Sequence, residues 1–240
     1  MSPKTTGRIV GALFLLAFVV YLTGGALVDS GSGAPAALPD VVDHQTQIAA
    51  GALLMLVNSV VVVYIGVLVL PVLRPHHEIS AYLYLAARIF EAVMLTVGIL
   101  CLLLLIPLAQ AHAEAGGDGS VLPTLAHVAQ EGNTYALQLA MIGLGLGALP
   151  FCHALLRARL VPSFLAVWGL VGYGVLVAGF VLEVLGYSLG GMHMVLGGLF
   201  EVVLGVLLLV RGFPTRGDPR SIETTAAAVP TPHHMTGEAP

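Results

Sequence analysis

Arg88 and Glu91 stand three residues apart inside a long apolar run, Leu85-Ala-Ala-Arg-Ile-Phe-Glu-Ala-Val-Met-Leu95. On a helix that spacing puts both side chains on one face, with Tyr84, Ala92, Leu95 and Gly98. A guanidinium carries five N–H donors, more than one carboxylate can accept, so a second acceptor is expected. Glu201 is the best candidate, because Gly197, Gly198 and Gly205 surround it on its own face and let another helix approach closely. Asn58, in the second span, is a further candidate for the same polar cluster. Three chemistries fit these residue types: a structural clamp between two helices, a proton- or substrate-binding centre, or an arginine that snorkels toward water. A second polar pair, Glu183 and His193, is separated by a short Gly-rich turn, and solvation at a membrane interface accounts for both. Gly143 and Gly147 form a GxxxG, a mark of close helix packing within one chain or between two.

The elements that must position these residues follow from composition. Of 240 residues, 58% are hydrophobic and 9% are charged. Soluble domains carry about 25% charged residues, so this surface must largely face lipid. Six stretches are long and apolar enough to cross a bilayer, at about 8–28, 48–73, 79–107, 134–157, 162–187 and 192–211. They are expected to be helices, because an open strand leaves its backbone groups unpaired in lipid. The fold class is therefore all-α, a six-transmembrane-helix bundle occupying 1–212. Arg88 falls near mid-membrane in the third span, where a charge costs about 2.5–3.5 kcal/mol and must find partners.

Basic residues stay on the cytoplasmic side. Lys4, Arg8, Arg74, Arg157, Arg159, Arg211, Arg216 and Arg220 all fall on one side if the N-terminus is inside. The loops at 29–47, 108–133 and 188–191 contain no Lys or Arg, so both termini are expected in the cytoplasm and the location is the plasma membrane. Arg88 is the one basic residue that topology leaves unexplained. Val121 to Gln130 is expected as a short interfacial helix, and 213–240, rich in Pro, Thr and Ala, as a disordered cytoplasmic tail.

Several chemistries have no anchor here. Walker A, Gly-x-Ser-x-Gly and HExxH patterns are absent. Cys101 and Cys152 lie apart, His233 and His234 are only a pair, and nothing fixes His44, His112 and His127 relative to one another. No metal or other cofactor is expected, and no catalytic residue. A net charge of −4 gives no reason to invoke nucleic acid. The lipid bilayer is the expected partner, with a membrane-protein partner or a second copy left open and any small ligand unnamed. The readings that remain are a scaffold, partner or sensor subunit, and alternatively a small transporter or proton-coupled carrier.

Ile89-Phe-Glu-Ala-Val in the third span is similar to Leu199-Phe-Glu-Val-Val in the sixth, and halves of three spans each would be inverted repeats. Four landmarks in order also resemble a known family. They are Arg8-Ile-Val-Gly-Ala-Leu-Phe-Leu-Leu, Leu85-Ala-Ala-Arg-Ile-Phe-Glu-Ala, the Leu160-Val-Pro-Ser-Phe-Leu-Ala-Val-Trp-Gly turn, and the stretch from Gly198 to Phe213. Together they resemble the bacterial membrane proteins called domain of unknown function 4386, over about 8–213. The resemblance implies six membrane helices without an assigned activity. It matches Arg88, Glu91 and Glu201 to polar motif positions and carries over no catalytic residue. Ser163 departs from the basic or bulky residue that often follows the proline.

Overall fold

The computed structural model describes residues 2–32, 38–116 and 121–214. Among them are eight α-helices and no strand. They are α1 (Pro3–Ser32), α2 (Leu38–Asp43), α3 (Gln45–Leu73), α4 (Glu78–Leu103), α5 (Leu105–Glu114), α6 (Val121–Arg157), α7 (Ser163–Val184) and α8 (Met192–Arg211). Six bodies are long and apolar enough to span a membrane: α1, α3, α4 with α5, α6, α7 and α8. Large apolar side chains such as Val19, Leu53, Val60 and Phe164 point outward and stay exposed. That surface is wrong for water and right for lipid tails.

Local chemistry sets the breaks. Pro107 has no N–H to give the Leu103 carbonyl, and the third span divides there into α4 and α5. Gly191, at φ 75°, and Gly212, at φ 70°, flank α8 in left-handed conformations open to glycine. A Cβ on Gly212 would also collide with the backbone of Lys4. The first and last helices therefore meet at their chain-terminal ends.

Each spanning helix packs on its neighbours in sequence, and α8 returns to pack on α1. The six spans thus close into a ring in chain order: α1, α3, α4, α6, α7, α8. Glycines set the seams. Gly11 lies against the backbone of Gly205 and Leu209 across α1 and α8, and Gly24 against Gly51 across α1 and α3. Gly143 and Gly147 of α6 receive Phe90 and Ala87 of α4, so this GxxxG packs within the chain. Gly197 packs beside Gly172 of α7. In such a ring α4 and α8 stand opposite one another rather than side by side.

The expected short interfacial helix at Val121–Gln130 is not separate. It runs on without a break into the fourth span, making α6 37 residues long. At 1.5 Å per residue it is about 55 Å long, well beyond a hydrocarbon core of about 30 Å. No proline interrupts it between Gln130 and Thr134, and Gly132 lets it pass close to Cys101 of α4. Of the tail expected to be disordered at 213–240, Phe213 is instead buried in the core, and 215–240 lies outside the described residues.

Candidate functional site

Arg88 projects from α4 into the middle of the ring and is 1% exposed. Helical periodicity supplies two partners from its own helix. Its Nε donates to the Tyr84 hydroxyl at 2.9 Å, and its Nη1 donates to Glu91 Oε2 at 2.9 Å. The third comes from across the ring, where Nη2 donates to Glu201 Oε1 of α8 at 2.7 Å. Tyr173 of α7 donates its hydroxyl to the same Glu201 oxygen at 2.7 Å. Every guanidinium nitrogen therefore has an oxygen partner, as a buried cation requires. The charge also lies over two rings, 5.3 Å from the Phe14 centroid and 5.2 Å from that of Tyr84.

The surrounding packing fixes this geometry. Tyr84 stacks on Phe151 of α6 with ring centroids 4.1 Å apart, and Tyr173 meets Phe200 edge-on. Gly66 of α3 passes over the foot of Arg88, where an added Cβ would stand 3.1 Å from the arginine Cβ. Residue spacing alone does not identify Tyr84 and Tyr173 as partners of the cluster. Tyr84 carried a signal, lying four residues before Arg88 on the same face. Tyr173 carried none, because nothing in spacing relates the fifth span to the third.

Beside the cluster is a cavity of about 410 Å³. Its walls are mostly apolar, from Phe18 and Leu22 of α1, Leu95 of α4, Met141 of α6, Leu176 of α7 and Val195 of α8. Among the described residues, Arg88, Glu91 and Glu201 are its only charged lining residues. Asn58 also lines it, 5% exposed, and among the described residues nothing bonds its carboxamide. The structure thus places Asn58 on the cavity wall rather than in the bonded cluster. Gly198 lines the cavity too, while Gly197 and Gly205 on the same helix sit at seams with α7 and α1.

The second polar pair is built differently. His193 Nδ1 stands 3.8 Å from Glu183 Oε1, too far for a hydrogen bond. Gln138 of α6 donates weakly to Glu183 Oε2 at 3.5 Å. His193 is buried, 6% exposed, with its ring against Gly179 and edge-on to Phe180. Both of its ring nitrogens and Gln138 Oε1 are buried without a hydrogen-bond partner. Solvation at an interface therefore does not describe His193. Among the described residues no group of three or more His, Cys, Asp or Glu side chains could hold a metal ion.

No curated protein and no solved structure matches the chain. The family described as Domain of unknown function (DUF4386) matches residues 9–212, which holds all six spans from early in α1 and every residue of the Arg88 cluster. The chain belongs to that family.

Proposed function

We propose that the Arg88–Glu91–Glu201 cluster is a structural clamp in a membrane protein that acts as a scaffold, partner or sensor subunit. The observation that carries this reading is the complete pairing of a buried guanidinium, one of whose partners lies on the opposite helix of the ring. Removing one member of a buried ion pair leaves an uncompensated charge and costs about 3–5 kcal/mol, whereas removing both partners is far milder. The test is a double-mutant cycle on the protein in bilayers, read by unfolding. Arg88→Leu and Glu201→Leu are each expected to destabilise, and the double substitution to cost less than the two losses summed, with Glu91 left as the remaining stranded carboxylate. Additive losses end the clamp reading.

A second reading, a small transporter or proton-coupled carrier, is favoured by the cavity that the two carboxylates border. On that reading Glu201→Gln keeps the fold and abolishes coupled uptake in proteoliposomes. Uptake unaffected by Glu201→Gln ends it.

The proposed setting is the plasma membrane with both termini in the cytoplasm. Supporting it, Lys4, Arg8, Arg74, Arg157, Arg159 and Arg211 all lie at or between helix ends on the side where α1 begins and α8 ends. A cysteine placed at Glu114, with Cys101 and Cys152 replaced, is expected to react with an impermeant reagent only from outside the cell. Labelling only from the cytoplasm reverses the orientation.

A further inference from the structure

Two carboxylates border the cavity and one guanidinium faces them, so with both ionised the lining carries one negative charge in excess. Arg88 uses Glu91 Oε2 and Glu201 Oε1. The other oxygen of each carboxylate accepts no hydrogen bond among the described residues, and neither is sealed from the cavity. Asn58 adds a third acceptor, its carboxamide oxygen, on a side chain more than nine-tenths buried. Its amide atoms are not sealed from the cavity, so an occupant with a donor can bond that oxygen. Acceptors gathered at one end of an apolar cavity describe a site for a donor-bearing head on an apolar body.

Charge narrows the class. An anion would meet two carboxylates, and a neutral hydroxyl would leave the excess charge unbalanced. A protonated amine donates and also supplies the missing positive charge. The rings of Phe18, Tyr21 and Tyr173 line the same space, and aromatic rings attract a cation. An entrance is also present. Leu22 of α1 and Val195 and Leu199 of α8 line the cavity and are 64%, 55% and 49% exposed. The cavity therefore reaches the lipid between the first and last helices, beyond the point where Gly11 and Gly205 hold them together.

We infer that this cavity is a binding site for a lipophilic organic cation, a protonated amine on a compact apolar body, which enters sideways from the bilayer between α1 and α8. The inference names what the carrier reading would move, yet it requires only binding. Saturable binding without uptake leaves it standing and ends the carrier reading.

Three probes with one cage and different heads test it: adamantylammonium, adamantanol and adamantane carboxylate. Each is titrated by ligand-observed NMR against the full chain in phosphatidylcholine nanodiscs, with empty nanodiscs subtracting partition into lipid. The ammonium is expected to bind saturably and at least about tenfold more tightly than the alcohol, as for a charged against a neutral hydrogen bond. The carboxylate is expected not to bind. Glu91→Gln should weaken the ammonium about tenfold or more and leave the alcohol little changed. Gly198→Leu should abolish binding by filling the cavity, since a Cβ there meets nothing closer than Phe18 at 3.8 Å. Equal affinity for ammonium and alcohol overturns the proposal. So does tighter carboxylate binding, or ammonium binding that survives Gly198→Leu. If Glu91→Gln does not fold, Asn58→Leu, outside the ion pairs, takes its place: weakened ammonium binding supports the site and unchanged binding overturns it.

Discussion

Arg88 and His193 are both ionisable side chains buried in the same six-helix ring, and their surroundings are opposite. Around Arg88 each nitrogen meets an oxygen within 2.9 Å, and the partners come from α4 and α8 with Tyr173 of α7 behind them. Around His193 the nearest carboxylate oxygen is 3.8 Å away and both ring nitrogens lack a hydrogen-bond partner. The difference follows from what each group can tolerate. A guanidinium cannot shed its charge, so its burial demands a full set of acceptors. An imidazole can be neutral and can rest against an aromatic ring, as His193 does on Phe180. Burial alone therefore does not identify a polar residue as structural; its bonding does.

The contrast can be broken most directly at Arg88. Arg88→Leu strands two carboxylates and is expected to cost about 3–5 kcal/mol in an unfolding titration in bilayers or mild detergent. A loss below about 1 kcal/mol would place Arg88 in the same class as an exposed ion pair. Tyr173→Phe keeps the ring and its contact with Phe200 but removes the donor to Glu201, and about 1.5–3 kcal/mol is expected to go with it. His193→Phe should fall on the other side. It keeps an aromatic ring over Gly179 and removes two unbonded polar atoms, so stability is expected to stay level or rise by up to about 1 kcal/mol. The smallest effect sharpens the comparison most. The coupling between His193→Phe and Glu183→Gln is expected to lie within about 0.5 kcal/mol of zero. A coupling as large as that of Arg88 with Glu201 would show His193 charged and paired, and would erase the distinction.

The sequence makes some of this legible and leaves the rest hidden for physical reasons. Six spans are readable because lipid demands long apolar helices, and hydropathy measures that demand directly. The pairing of Arg88 with Glu91 is readable because helical spacing is local. Glu201 is reachable by a weaker route, through the glycines on its face and the need of a guanidinium for a second acceptor. Tyr173 is not reachable, because the ring order that brings α7 beside α8 depends on packing between faces. The continuity of α6 is hidden for a related reason. Its first turns are polar enough to read as an interfacial piece, and only their packing against α4 and α5 joins them to the span. Asn58 shows the limit from the other side, since its residue type suggests bonding to the cluster while its place is the cavity wall.

Two of the three side chains that hold Arg88 belong to its own helix. That has a consequence for the order of events during synthesis. The third span leaves the ribosome well before the sixth, so Arg88 emerges while Glu201 is still to be made. Tyr84 and Glu91 accompany it from the start, the hydroxyl as an acceptor and the carboxylate as its counter-charge within one helical segment. The arginine thus travels in company, and Glu201 arrives last, in the helix whose docking on α1 closes the ring.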